Sequence, residues 1–181
     1  MRRVGSIATA LAITAIGGTG IALAHSDSAT DPRGDVAGNP PGAHANFDIV
    51  GSTIGDASHG KVTQTVKVAG ALGDPNHGGL VPLLYINVPS YPGATRECDF
   101  FVGRVRSHDG VYTCATVKRV GPATIVRKGG NTLRYMFSPK AIGRPPSYEW
   151  AFVTEGRADG TIETFDRIPD GQTSMYTYKL R

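Results

Sequence analysis

From Phe47 onward, the chain shows short segments in which apolar and polar residues alternate, separated by Gly, Pro and Asn. A period of two places successive side chains on opposite faces of a strand, so this pattern predicts half-buried β-strands. We expect about ten of them, over residues 47–54, 61–68, 80–88, 97–105, 111–120, 123–128, 132–137, 148–154, 161–165 and 175–180.

Turn signals lie between these segments. Residues 107–110 predict a turn between two strands. The pair Gly129-Gly130 predicts a tight hairpin, because glycine reaches the positive φ angles that such turns need. Pairing about this hairpin sets Val126 opposite Leu133.

Residues 138–143 predict one short helical turn, with Ser138 as the N-cap, Pro139 at the first helical position and Gly143 as the stop. Many short strands without crossover helices favour an all-β fold over a parallel sheet. We therefore predict an antiparallel β-sandwich of about ten strands.

The first 24 residues have the pattern of a signal peptide. Arg2 and Arg3 form a basic start, residues 4–24 carry no charge, and the stretch ends in Ala-Leu-Ala, which signal peptidase can read. We expect residues 1–24 to be a signal peptide, residues 25–45 an extended lead-in rich in small and polar residues, and residues 46–181 the β-sandwich domain. The alternative is an uncleaved membrane anchor, since the stretch is about long enough for a bilayer of about 30 Å.

An exported chain works in an oxidising medium without nucleotide cofactors, which disfavours cytosolic and dinucleotide chemistry. Removal of residues 1–24 leaves 157 residues with 17 basic and 15 acidic side chains, a net charge of +2. This charge is too small to indicate nucleic-acid binding. The length suits a single domain with one core, and we expect a secreted monomer.

Cys98 and Cys114 are the two cysteines of the chain. In an oxidising compartment, an even pair in one small domain predicts a disulfide. The adjacent residues 99–105 and 111–117 have strand patterns, so the bond would join neighbouring strands. A redox-active pair is the alternative, and it would call for Cys-x-x-Cys spacing or a depressed thiol pKa.

Several short motifs carry a family resemblance: the opening Asp31-Pro32-Arg33-Gly34-Asp35, residues 47–53 running into the first strand, Phe137-Ser138-Pro139 before a Tyr/Trp strand, and the closing residues 166–171. In these motifs the chain resembles a group of secreted bacterial β-sandwich proteins that is similar to family 9 carbohydrate-binding modules and DOMON-type domains. The resemblance implies a jelly-roll-like sandwich, frequently with structural calcium and with a sugar or other small ligand on one face. Such a resemblance is better evidence for the fold than for the function.

Four aspartates flank two turns near opposite ends of the exported chain. Asp31 and Asp35 enclose one turn, and Asp166 and Asp170 enclose the other. If the terminal strands are neighbours, these carboxylates converge, and Asp48 is a candidate fifth ligand. Calcium takes six to eight oxygen ligands, so we hypothesise a structural calcium site. The alternative is turn chemistry, because aspartates in turns bond the nearby backbone.

Aromatic rings are the candidate surface for a sugar, which stacks on exposed rings. Tyr148, Trp150 and Tyr85 are the candidate ligand-binding residues. Tyr148 and Trp150 point with Phe152 to one side of their strand. A β-sandwich core needs such a stripe, so core packing is the favoured alternative for these rings.

These features predict a secreted, non-catalytic β-sandwich that binds polysaccharide or other cell-envelope material and holds structural calcium. A polysaccharide hydrolase that uses Asp166 or Asp170 is one alternative, because glycosidases act with paired carboxylates. An envelope interaction protein without a small ligand is another. The histidines lack the spacing of zinc ligands, and no Gly-x-Ser-x-Gly elbow of a serine hydrolase is present.

Overall fold

The computed structural model describes residues 26–36, 45–57, 60–72, 81–91, 98–158, 161–170 and 174–180. The predicted signal peptide and part of the predicted lead-in lie outside these ranges, so both stay predictions. Within the same ranges, no helix has the length and apolar character needed to cross a lipid bilayer.

The described residues form eleven β-strands and a short 3-10 helix. The 3-10 helix covers Pro139–Ile142; Ser138 caps it by accepting a hydrogen bond from the Lys140 N–H at 3.3 Å, and Gly143 ends it with a φ of 82°. The all-β prediction and the predicted helical turn are confirmed. The strands are β1 (Ser26–Thr30), β2 (Ile49–Ala57), β3 (Lys61–Val68), β4 (Leu83–Asn87), β5 (Phe100–Val105), β6 (His108–Thr113), β7 (Arg119–Arg127), β8 (Thr132–Phe137), β9 (Ser147–Ala158), β10 (Thr161–Ile168) and β11 (Tyr176–Lys179).

The strands form one continuous antiparallel sheet that is curled into a half-barrel. Its order is β1-β2-β3-β8-β7-β6-β5-β4-β9-β10, and β11 pairs with the first residues of β9. β7 links the two halves of the sheet, because residues 119–122 pair with β6 and residues 123–127 pair with β8. The sheet order therefore starts at β1, near the N-terminal end of the described chain, and ends at β10.

One face of the sheet carries the main core. On β3 the side chains of Val62, Val66 and Val68 are buried, and the residues between the buried positions are exposed or half-buried. On β9, Tyr148 and Trp150 belong to the same core, and their rings contact aromatic rings of β8, β9 and β11. Apolar burial stabilises a fold in proportion to the area removed from water, and the larger of the two buried clusters lies on this face.

Cys98 and Cys114 form the predicted disulfide, with Cα atoms 5.9 Å apart. It joins the residues just before β5 to those just after β6, and the Cys114 N–H also donates to the Asp99 carbonyl at 3.0 Å. Beside it, Phe101 and Tyr112 stack with ring centroids 5.2 Å apart in a second, smaller apolar cluster. The prediction of a bond between neighbouring strands is confirmed.

The turn between β5 and β6 is shorter than the sequence predicts. Val105 pairs with His108, so the turn consists of Arg106 and Ser107 alone. Both residues have positive φ angles, 47° and 69°. Two-residue hairpins of this kind need positive φ at both central residues. Neither residue is Gly, Asn or Asp, so the sequence carries no signal for the turn at this position.

The hairpin between β7 and β8 is confirmed, but its register is one residue away from the predicted one. Arg127, and not Val126, pairs with Leu133. The Lys128 N–H donates to the Thr132 carbonyl at 2.8 Å, which leaves a three-residue loop, residues 129–131, at the tip. A shift of one residue moves every side chain of a strand to the other face.

The sequence pattern does not predict β1, because Ser26–Thr30 has no alternating large apolar residues. This strand pairs with β2 through its backbone, from Ser26 opposite Gly55 to Thr30 opposite Gly51. It lies at the edge of the sheet, where short and polar strands are common.

Removal of the disulfide is expected to lower the free energy of unfolding by about 3 kcal/mol, because the bond restricts the unfolded chain over a loop of this length. The test is urea unfolding of the Cys98→Ser/Cys114→Ser protein, with reduced wild-type protein as the control. We expect these two proteins to unfold at similar urea concentrations, below that of the oxidised wild type. Equal midpoints for the variant and the oxidised wild type would contradict the prediction.

Gly121 lies where β7 packs against the 3-10 helix, and a Cβ at this position would lie 2.5 Å from the Cβ of Ala141. We expect Gly121→Ala to lower the free energy of unfolding by about 1–3 kcal/mol, because so short a contact between two Cβ atoms forces β7 and the 3-10 helix to shift apart. Gly130→Ala is the matched control, since a Cβ there meets no atom within 4 Å. Indistinguishable thermal melting of the two variants would refute this packing argument.

Candidate metal centre

The candidate centre lies where β2 approaches β9 and β10. The Thr154 hydroxyl of β9 donates to the Phe47 carbonyl at 2.9 Å. The Ile49 N–H at the start of β2 donates to Oδ2 of Asp166 in β10 at 2.5 Å. The segment that follows β1 reaches the same place, because the Asp31 N–H donates to the Val50 carbonyl at 3.4 Å.

The five aspartates predicted as metal ligands come together at this place. Three of them, Asp35, Asp48 and Asp166, form an inner trio, and Asp31, Asp35 and Asp170 form an outer trio. Within each trio the ligand oxygens lie within 4.8 Å of one another, and Asp35 belongs to both. Asp48 and Asp166 are buried, Asp31 is half-buried, and Asp35 and Asp170 are exposed.

Backbone N–H groups hold the two buried carboxylates. Oδ2 of Asp48 accepts from the Gly34 N–H at 2.9 Å, and Gly34 adopts a φ of 85° that favours glycine. Oδ1 of Asp166 accepts from the Arg167 N–H at 2.7 Å, while its Oδ2 accepts from Ile49. Turn chemistry explains the bond to Arg167, but the bonds to Gly34 and Ile49 span 14 and 117 residues.

Two shielded carboxylate oxygens in the described structure have no hydrogen-bond partner. They are Oδ1 of Asp48 in the inner trio and Oδ2 of Asp31 in the outer trio. Asp48 is only 4% exposed. A buried acceptor without a partner costs about 1–3 kcal/mol, and more when it is charged. The site therefore lacks a positive or hydrogen-bonding group at these oxygens.

Burial and mutual repulsion raise the pKa values of these carboxyls. The pKa of Asp31 rises to about 7, first through desolvation and then through the charges of Asp166, Asp170, Asp35 and Asp48. Desolvation raises the pKa of Asp166 to about 6, although the hydrogen bonds from Ile49 and Arg167 act in the opposite direction. The pKa of Asp35 is also raised, first by desolvation.

A divalent cation would reduce the repulsion between the carboxylates and would give the unpartnered oxygens a ligand bond. Calcium lies about 2.3–2.6 Å from its oxygen ligands, so two oxygens on one ion lie at most about 5.2 Å apart. The oxygens of each trio meet this limit. All the donors are carboxylates, with no His or Cys among them, and such a set suits a hard cation better than zinc.

Tyr148, Trp150 and Tyr85, the residues predicted to bind a ligand, do not share a surface. Tyr148 and Trp150 are buried in the main core, where core packing places them and where they offer no ring face to a sugar. Tyr85 contacts the smaller cluster on the opposite face, and its hydroxyl donates to Oε1 of Glu155.

The sequence does not connect Tyr176 of β11 with the aspartates, but the charges of the outer trio act on it. The pKa of its hydroxyl is raised, first by burial and then by the charges of Asp31 and Asp170. Its ring centroid lies 5.0 Å from that of Trp150. The sequence does place Tyr176 in the strand that follows the Asp170 turn, which is the one indication that it lies near the aspartates.

Comparisons with models of protein families, with curated proteins and with solved structures found no match for this chain. The resemblance to family 9 carbohydrate-binding modules and DOMON-type domains is not tested by them and stays a prediction. The geometry of the five aspartates is therefore the basis of the functional proposal.

The metal-free protein is expected to lose stability as the pH rises from 5 to 8. The folded-state pKa values of Asp31 and Asp166, about 7 and about 6, lie above the ordinary value of 3.8. Carboxyls with raised pKa values stabilise the fold while protonated, and this contribution is lost as the pH rises through those values. Urea unfolding in chelator across this range measures the effect.

The matched variant is Asp31→Asn, which cannot ionise and should give a flatter profile over the same range. A wild-type profile in chelator that is flat or rises with pH, and is identical to that of Asp31→Asn, would contradict the assignment.

Proposed function

We propose that this protein is a secreted, non-catalytic β-domain in which bound calcium holds together the two ends of a curled sheet. The observation that carries the proposal is the buried carboxylate of Asp48. One of its oxygens accepts a hydrogen bond from Gly34, and the other is shielded and unpartnered. The same carboxylate places an oxygen within 4.8 Å of oxygens of Asp35 and Asp166. A cation is the group that such an oxygen lacks.

The three chain segments that meet at the site support a structural role for the ion. Asp31 and Asp35 follow β1, Asp48 precedes β2, Asp166 lies in β10 and Asp170 follows it. A cation bound by these carboxylates would connect the first and last strands of the sheet order. Since these contacts form only in the folded state, the free energy of binding adds to the free energy of folding.

The setting of the protein supports calcium as the ion. The signal-peptide pattern of residues 1–24 and the bond between Cys98 and Cys114 both fit an oxidising extracellular medium, where calcium is abundant. Binding of polysaccharide or cell-envelope material, and the jelly-roll-like sandwich that accompanies it in the resemblance, stay predictions. A pull-down on insoluble polysaccharides and peptidoglycan, with and without calcium, tests that binding separately.

Calcium is expected to raise the melting temperature of the chelated protein. At a hundredfold excess over the dissociation constant, the gain in unfolding free energy is about 2.7 kcal/mol, which raises the melting temperature by about 5–10 °C for a domain of this size. Differential scanning calorimetry in chelator and in calcium measures the shift. An identical melting temperature in both solutions would remove the calcium proposal.

Two matched variants assign the shift to this site. Asp48→Asn keeps an oxygen for the Gly34 N–H but loses the charge, so we expect it to abolish most of the calcium-dependent shift. Asp99→Asn is the control: Asp99 is also buried, at 5% exposure, and accepts a backbone hydrogen bond from Val88 at 2.8 Å, but it belongs to neither trio. It should keep the full calcium shift, whatever its effect on stability in chelator.

A further inference from the structure

We propose that the β1 strap, residues 26–36, docks on the edge of β2 when a cation fills the inner trio and leaves that edge when the site is empty. The strap consists of β1 and the turn that follows it. This inference rests on the proposed function and adds a local conformational switch to it, because the rest of the sheet stays folded in both states.

The strap has little apolar surface to hold it in place. None of its side chains described over residues 28–36 is buried, and among them Ala29 alone packs against the main core. In the turn after β1, the Asp31 N–H donates to the Val50 carbonyl over a long distance, 3.4 Å. Segments with few buried apolar contacts open locally at a lower free energy than the rest of a fold. The strap can therefore open while the core stays intact.

Two contacts join the turn of the strap to the inner trio. The Gly34 N–H donates to Oδ2 of Asp48 at 2.9 Å. Asp35 places a carboxylate oxygen within 4.8 Å of oxygens of Asp48 and Asp166. Ionised carboxylates at this distance repel one another, whereas a divalent cation between them attracts all three. The second contact therefore opposes docking of the strap without the ion and favours it with the ion.

Asp48 and Asp166 belong to the body of the sheet and not to the strap. Asp166 accepts hydrogen bonds from the N–H groups of Ile49 and Arg167, so it keeps both when the strap leaves. Asp48 is 4% exposed, and its Oδ1 is shielded and unpartnered. Its Oδ2 accepts from Gly34 of the strap. Release of the strap exchanges this bond for water and removes the third carboxylate from the two buried ones.

The inner trio is complete only while the strap is docked, because one of its three carboxylates lies on the strap. A cation that needs all three carboxylates binds the docked state and shifts the equilibrium toward it. At a hundredfold excess over the dissociation constant, the population of the open strap falls by about 100-fold. Release uncovers the backbone of β2 from Gly51 to Gly55, so the ion determines whether this edge of the sheet is paired.

Hydrogen exchange on the complete, disulfide-bonded protein measures the release of the strap. In chelator, we expect the backbone amides of the strap to exchange faster than those of β3, which pairs with a strand on each side. Calcium at a hundredfold excess over its dissociation constant should slow exchange in the strap by about 100-fold. Equal exchange of the strap and β3 in chelator would overturn the proposal, because the strap would then open only with the whole fold.

Calorimetric titration of the same chelator-treated protein with CaCl2 separates this inference from the proposed function. Bound calcium without any change in the exchange of the strap would overturn the switch and leave the proposed function standing. No bound calcium would overturn both.

Two glycine variants test local docking without changing a carboxylate. Gly34 has a φ of 85° and a Cβ there meets no atom within 4 Å, so Gly34→Ala strains the docked turn without a clash. We expect it to speed exchange in the strap by about 5–30-fold in chelator. Gly129→Ala is the matched control, since Gly129 has a φ of 83° and equally open surroundings but lies in the hairpin between β7 and β8. No acceleration in Gly34→Ala, or an equal one in both variants, would overturn the local opening.

Asp35→Asn tests the link between the ion and the strap. The variant removes the charge that the strap contributes to the inner trio and keeps Asp48 and Asp166. Calcium should therefore slow exchange in its strap much less than in the wild type. Asp99→Asn, which lies outside the trio, should keep the slowing of about 100-fold. A full calcium effect in Asp35→Asn would overturn the role of the strap carboxylate.

Discussion

The hydrogen bond from the Ile49 N–H to the carboxylate of Asp166 joins strands that lie far apart in the sheet order and 117 residues apart in the chain. The order begins at β1 and ends at β10, so the curled sheet meets itself through side chains such as Asp166 and Thr154. Charge-assisted bonds to backbone N–H groups are stronger than neutral ones, which makes a carboxylate a suitable group for this contact.

The same contact creates an electrostatic difficulty. Asp166 reaches Ile49 only where Asp48, Asp35 and Asp31 also converge, and the desolvated carboxylates repel one another. Without a cation, the site must either keep a proton or tolerate the repulsion, and the pKa of about 7 for Asp31 records that balance. A bound cation removes the need for the proton. The geometry that closes the sheet is thus the same geometry that brings the carboxylates together.

The sequence predicts the strands best where a clear alternation is bounded by strong turn residues. The bounds of β3 and β8 agree with the prediction, residues 61–68 and 132–137. Predictions were wrong where backbone geometry decides the turn or the register. The Arg106-Ser107 turn contains no glycine that would have indicated its position. The loop of residues 129–131 sets the register of β7 and β8, which composition does not encode. An edge strand such as β1 is held by its backbone, so its side chains carry no signal.

The sequence could predict the residues of the candidate site because a carboxylate is recognisable as a possible cation ligand wherever it lies in the chain. Aspartates around two turns at opposite ends of the chain converge only if the terminal strands are neighbours, and the chain order alone could not decide this. For the aromatic residues, in contrast, the side chain alone does not indicate the role. Tyr148 and Trp150 have side chains that suit either a core or a binding face, and only the packing of β9 against the rest of the main core places them inside.

The disulfide and the candidate metal centre act on different states of the protein. The bond between Cys98 and Cys114 restricts the unfolded chain around β5 and β6. A cation bound among the aspartates would instead stabilise the folded state, by an amount that depends on its concentration. The two involve different strands and share no residue, so their contributions to stability should add. The disulfide depends on an oxidising medium, and stabilisation by a cation would depend on the concentration of that cation.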